Sequence, residues 1–175
     1  MTPAALRSDL VEAAHVLSGL GLVTAYGHVS ARSEASMLIT PAADLAIVTE
    51  STIVTMPLDT ASRPAGAPAE AWIHLALYHA RPDADSIARA QPPAAFAAAA
   101  TTTALAPLHG QATWLGESVP VHDSARLKQP DLFLVAAGAL GDQRPVLLLS
   151  LQAEVLQETL GHRQVRYFQG VVVQS

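Results

Sequence analysis

Glu70-Ala71-Trp72-Ile73-His74-Leu75-Ala76-Leu77-Tyr78-His79-Ala80-Arg81-Pro82-Asp83 is an acidic residue, then a mostly apolar run, then an Arg-Pro-Asp stop. Ser86-Ile87-Ala88-Arg89-Ala90-Gln91-Pro92-Pro93 follows, a short apolar run closed by two prolines. Length and composition make Glu70 to Ala80 a helix, ended by the proline that disfavours helical backbone before it. Ser86 to Arg89 suits a short strand. A helix feeding a strand across so short a connection is the unit of a layered α/β fold.

The flanking sequence extends this alternation. Leu6, Leu10, Ala13, Ala14 and Leu17 recur at helical spacing, which predicts a helix over Ala4 to Gly19. Thr2 before Pro3 is a helix start, and Gly19 and Gly21 stop it. Gly27 to Ala31 reads as a turn entering a strand, and Ser36 to Thr40 as a strand. β-Branched content predicts strands at Leu45 to Val48 and Thr52 to Met56. Thr60 to Pro68 is a loop. Pro92 to Thr101 is a second helix, with proline in the first turn where its missing N–H costs little. Asp123 to Leu140 holds a helix from about Pro130, and Pro145 to Leu149 a buried strand. Leu156 to Val173 gives mixed signals: Val165, Phe168 and Val172 suit a helix, Val171-Val172-Val173 a strand. No repeat or boundary appears, so residues 1–175 are expected to form a single three-layer α/β/α domain.

Composition narrows the function classes. The formal net charge is -5 with no basic cluster, which argues against nucleic acid. No apolar run approaches the length that spans a bilayer, so no membrane partner is expected. Met1-Thr2-Pro3-Ala4 shows no signal-peptide pattern, and there are no cysteines. Disulfides and thiol catalysis are excluded, and a cytoplasmic location is the expectation.

The order of several short blocks is similar to the class II aldolase/adducin family. The acidic residue, the Arg-Pro-Asp helix and the strand before Pro-Pro carry the likeness. So do Gly27-His28-Val29-Ser30-Ala31-Arg32, Leu38-Ile39-Thr40-Pro41, Val119-Pro120-Val121 and Val146-Leu147-Leu148-Leu149. The set runs from Leu10 to about Gln169, with a C-terminus that looks shorter than the family's. The resemblance implies a mixed, largely antiparallel central sheet between helical layers. It also implies a homo-oligomer, most simply a tetrameric ring.

Metal-dependent members of the family end that strand in His-x-His and take a third ligand from a His-Gly pair. Here Arg89 and Gln91 fill the first two positions, and Gln152-Ala153 stands in place of the pair. Arginine stays protonated and cannot ligate a metal, and glutamine offers only a weak amide oxygen. The expectation is no metal and no cofactor.

In the family the acidic residue moves the substrate proton, a role that falls to Glu70. A helix dipole favours an acid in the first turn with no catalytic role at all, and the two readings weigh evenly. Arg89 in the former metal position suits a carboxylate or an enolate oxygen. Its plainer role is to fill the space and pair with Glu70. His28 and Gln91 would orient the substrate, with Gln152 beside them. Ser30 and Thr40 remain from the phosphate subsite of the sugar-phosphate aldolases. Ala42-Ala43 and Pro68-Ala69 replace that subsite's other donors, so phosphate recognition is doubtful. A small anionic or aromatic substrate fits better, with Trp72 and Trp114 either near it or in the core. His74 and His79 fall on different helix faces. They, His109 and His162 are taken as structural histidines, with His28 and His122 set apart.

Two function classes remain. One is a metal-independent enzyme of carbonyl or enolate chemistry, a lyase, decarboxylase, isomerase or cyclase, as in specialised metabolism. The other is a non-catalytic association module like the adducin head. An enzyme predicts an open cavity exposing Glu70 and Arg89; a module predicts one that is filled.

Overall fold

The structure, a computed structural model, describes residues 2–23, 25, 27–99, 101, 104–106, 117–123, 146–154 and 165–174. Helix α1 spans Pro3–Gly19. The Thr2 hydroxyl accepts the Ala5 N–H at 3.3 Å, satisfying one of the donors a helix start leaves over. Leu6, Leu10 and Ala14 form its buried stripe at four-residue spacing. Its end is closed by Leu22 N–H to Leu17 C=O (3.0 Å) and Gly21 N–H to Ser18 C=O (2.9 Å). That closure requires left-handed backbone at Gly21, where φ is 66°, so glycine is the natural residue.

The strands are β1 (His28–Ser33), β2 (Ser36–Ile39), β3 (Val54–Pro57), β4 (Ser86–Ala90), β5 (Ala104–Leu105), β6 (Val119–Asp123), β7 (Val146–Glu154) and β8 (Val165–Gln174). They form one sheet in the order β3-β2-β1-β4-β8-β7-β6-β5. Only β6 and β7 pair in parallel among these neighbours. The expected α/β fold with a mixed, largely antiparallel sheet is what forms.

Alternation along β1 sorts its side chains between two layers. Val29 and Ala31 join Leu38, Ala90 and the buried face of α1 in one apolar cluster. The other face carries Met37, Ile39, Met56 and Ile87 and packs against helix α2, Ala71–Ala80. Helix α3, Pro93–Ala99, follows β4.

The structure corrects several expectations. Leu45 to Val48 is not a strand: Leu45–Ile47 and Glu50–Thr52 are 3-10 turns, and β3 begins only at Val54. The cause is local. The Asp44 carboxylate accepts the Ala46 N–H at 2.9 Å, and the Thr52 hydroxyl bonds both the N–H and the C=O of Thr49. Such side-chain bonds give the backbone an alternative to a ladder. The mixed signal near the C-terminus resolves as strand β8, because Val165–Gln174 lies between two partners and is paired along its length. β7 runs past Leu149 to Glu154, and Val119–Asp123 is a strand. The helix expected from about Pro130 lies outside the described residues, as do Trp114, His109 and His162.

Candidate functional site

The polar face of β1 builds the site. Gly27 introduces it, and a Cβ there would run into both methyl groups of Val23, so the approach demands glycine. His28, Ser30 and Arg32 then point towards α2. His28 and Ser30 are buried, and Arg32 is partly buried. The register places His28 opposite Arg89 on β4.

Arg89 has no solvent exposure. Its Nη1 donates towards His28 Nδ1 in a long contact of 3.4 Å. His74 of α2 is also fully buried, with its ring 6.2 Å from the His28 ring at 74°. Its Nδ1 lies 2.8 Å from the Ser30 hydroxyl, which lies 2.9 Å from the Tyr78 hydroxyl. Burial, then the Arg89 cation, lowers His74 from 6.5 to about 3. Burial, Arg89 and His74 push His28 well down in the same way. Burial raises the Tyr78 phenol. At neutral pH this cluster therefore holds one fixed positive charge, two neutral imidazoles and two hydroxyls.

Arg32 fixes α2 above the cluster. Its Nε donates to Ala84 C=O (3.0 Å) and its Nη2 to the C=O of Tyr78 (2.8 Å) and Arg81 (3.2 Å). It thus satisfies carbonyls that the helix end leaves over, and its cation lies 4.6 Å from the Tyr78 ring centroid. Arg81 grips Asp83 with two bonds of 2.9 and 3.0 Å across Pro82.

The sequence-derived residues separate on this frame. His28, Ser30 and Arg89 come together. Thr40 serves the backbone instead. Its hydroxyl accepts the Val29 N–H at 3.0 Å and its N–H donates to Val29 C=O, which extends the ladder past β2. Gln91 leaves β4 with its N–H on Leu22 C=O and is buried. Gln152 lies two strands away on β7, towards the same end of the sheet as Gln91. Glu70 caps α2 by position but not by side chain. Its carboxylate has no hydrogen bond or ion pair among the described residues, so the pairing with Arg89 given as the plainer alternative is not made.

His74, read as a structural histidine, is buried and hydrogen-bonded, and it lies inside the cluster beside Tyr78, which the sequence did not single out. His79 on another face is exposed and bonds Leu58 C=O at 2.7 Å. Arg89 and Glu70, expected to face an open cavity, are both buried. Trp72 packs against the core. A groove of about 910 Å³ lies instead on the α1 side, between Leu6, Leu10 and the strand residues Val29 and Ala88.

The residues at the family's metal positions do not fit a divalent cation. One is a permanent cation and two are amides, and that cation already disfavours positive charge on the nearby imidazoles. Among the described residues no three His, Asp or Glu side chains are placed to hold a metal.

A mixed sheet with helices on both faces, and strand-borne polar groups bonded to the helix packed on them, defines a class of layered α/β protein. A family comparison makes this specific: residues 8–151 match the Class II Aldolase and Adducin N-terminal domain, and the chain belongs to that family. Solved structures agree in fold. The L-fuculose-1-phosphate aldolase of Thermus thermophilus is similar at TM-score 0.76 and 24% identity, over 98% of this chain and 80% of that one. YgbL of Klebsiella pneumoniae, a candidate aldolase/epimerase/decarboxylase, is similar at TM-score 0.74 and 20% identity, over 100% of this chain and 81% of that one. YgbL of Escherichia coli gives TM-score 0.74 at 18% identity, over 98% and 79%. No curated protein matches the chain. Among the described residues no helix is long and apolar enough to cross a membrane.

Proposed function

We propose that the chain is a lyase-type enzyme of carbonyl or enolate chemistry that works without a metal on a small anionic substrate. Family membership supports the lyase class. The observation that carries the rest is the enclosed Arg89 guanidinium, set against two neutral histidines where the family's metal would be held. Glu70 takes a proton from the carbon next to a carbonyl. The C–H electron pair forms a new C=C bond while the carbonyl π pair moves to oxygen, and Arg89 stabilises the resulting enolate oxyanion in a dry site, where such donors act more strongly than in water. His28 orients the substrate. Gln91 and Gln152 are proposed to line the same end of the sheet. A tetramer is the proposed assembly, and light scattering that gives a monomer mass at all concentrations would refute it.

The test is deuterium exchange. A panel of small hydroxy- and oxo-carboxylates is incubated with the protein in D2O, and loss of the C–H signal is followed by NMR. At least one compound is expected to exchange, with no loss of rate after dialysis against EDTA. Glu70→Gln is expected to slow the exchange by about a hundredfold or more, the usual size of an acid/base contribution. Arg89→Ala weakens substrate binding, and Arg89→Lys restores it only in part, because the planar fork is lost. Full exchange by Glu70→Gln removes that residue from the mechanism. Absence of exchange across the panel favours the association module.

A further inference from the structure

His74 Nε2 is fully buried and has no hydrogen-bond partner among the described residues. Burying an imidazole N–H or lone pair unpaired costs free energy, so this atom calls for an explanation. It lies next to a fixed cation, on a ring whose other nitrogen is engaged at 2.8 Å. Proton placement along Tyr78, Ser30 and His74 decides what Nε2 offers. A neutral imidazole carries one N–H, and a hydroxyl donates one hydrogen.

Three arrangements use both short contacts, and in one of them Ser30 Oγ accepts from both His74 Nδ1–H and Tyr78 O–H, which strands the Ser30 hydrogen and leaves a lone pair on Nε2. The other two differ in direction. In the first, Tyr78 O–H donates to Ser30 Oγ, Ser30 O–H donates to His74 Nδ1, and the remaining hydrogen sits on Nε2. In the second, His74 Nδ1–H donates to Ser30 Oγ, Ser30 O–H donates to the Tyr78 oxygen, and the Tyr78 hydrogen points elsewhere. No other partner of the Tyr78 hydroxyl exists among the described residues. The second arrangement strands a phenolic hydrogen and leaves a lone pair on Nε2. The first uses every hydrogen of the chain except the one on Nε2. On the His28 side, an Arg89 N–H donates towards His28 Nδ1 and so leaves the His28 hydrogen on its own Nε2.

We propose that Tyr78 and Ser30 fix His74 as its Nε2–H tautomer, and that this hydrogen is a second anchor, beside Arg89, for a small oxyanion or carboxylate enclosed in the site. The anchor deepens the reading under Proposed function and rests on it. His74 is a binding residue here, and Ser30 and Tyr78 are positioning residues that act through it. The chemistry follows from the donor set: a guanidinium and an N–H supply positive potential and hydrogens, and no carboxylate bonds to His28, His74 or Ser30 among the described residues. Since Nε2 has no solvent access, the ligand is small and is dehydrated as the site closes over it.

The test joins a spectroscopic and a binding measurement on the intact protein. With 15N-labelled histidine, long-range proton–nitrogen correlation spectra report which His74 nitrogen carries hydrogen. Nε2–H in the wild type is the expected result, with Ser30→Ala giving a mixture of tautomers. Nδ1–H in the wild type overturns the proposal whatever binds. Oxalate serves as the anion probe in calorimetric titration. His74→Leu is expected to weaken oxalate by roughly tenfold or more, the scale of a hydrogen bond to a charged group. His74→Gln, whose amide N–H reaches about as far, keeps most of the affinity, which guards against a loss due to misfolding. Oxalate binding that depends on Arg89 but survives His74→Leu overturns the His74 anchor alone. Wild-type protein that does not bind oxalate overturns the anchor and the anion site together.

Discussion

The two faces of β1 lie a side chain apart and obey opposite rules. Val29 and Ala31 meet α1 through aliphatic contacts that ask for shape and volume only. His28 and Ser30 meet α2 through hydrogen bonds and a buried cation, where every donor and acceptor has to be accounted for. The apolar side has a groove at its margin, while on the polar side His28, Ser30, His74 and Arg89 are buried. Stability and chemistry are thus divided across one strand. A change on the α1 side is expected to alter how firmly the protein folds. A change on the α2 side is expected to alter what it binds and at which pH it stays folded.

The sharpest way to break this division is Leu10→Ala. Leu10 is 3% exposed, and truncating such a core side chain costs about 2–5 kcal/mol. Urea unfolding is expected to show that loss, while deuterium exchange per folded molecule stays unchanged. A parallel drop in specific exchange would mean that the faces are coupled.

Acid tests the other side with a somewhat smaller effect. His74 titrates at 6.5 when unfolded and at about 3 when folded. Between those values the unfolded chain binds a proton that the folded one refuses, so stability is full above pH 6.5 and falls as the pH drops. The slope from His74 alone is about 1.4 kcal/mol per pH unit, and His28 acts in the same direction. Urea midpoints taken at intervals from neutral pH down to about pH 5.5 measure it. His74→Gln is expected to flatten the slope by one proton's worth, and an equally steep variant would show that His74 is not the source. Thr2→Ala, at the start of α1, gives the smallest change, about 1 kcal/mol. It moves the urea midpoint by the same amount at either pH.

Much of the frame was legible because it is written in local signals. α1, α2 and β4 follow from apolar spacing, a threonine cap, a Gly21 stop and the Arg81-Pro82 break. His28 and Arg89 could be set in one site from the ordered motifs. The site's other half was not legible. Helix α2 is buried on nearly every side, from Ala71 to Tyr78, so no polar face marks which residues look at the sheet. His74 was therefore indistinguishable from a structural histidine. Its one signal was a titratable residue in an otherwise apolar helix. The turns at Leu45 to Thr52 were missed for a different reason. Propensity counts β-branched residues, but the bonds of Asp44 and Thr52 decide the backbone there. β8 was ambiguous because a strand paired on both sides carries the same apolar run as a buried helix.

β8 has a further consequence, for the order in which the molecule can be made. β1, β2, β3 and β4 are all within the first ninety residues and can pair as soon as they are synthesised. The open edge of β4 then waits for Val165–Gln174, which arrives some eighty residues later to pair Ser86 with Gln174. Until then Arg89 sits on an unpaired edge strand, the kind of surface that chaperones shield and that other chains can capture. The β4 strand that carries Arg89 is thus flanked on this side only when Val165–Gln174 is in place. Assembly of the polar site is therefore a late event, tied to the slow long-range closure of the sheet.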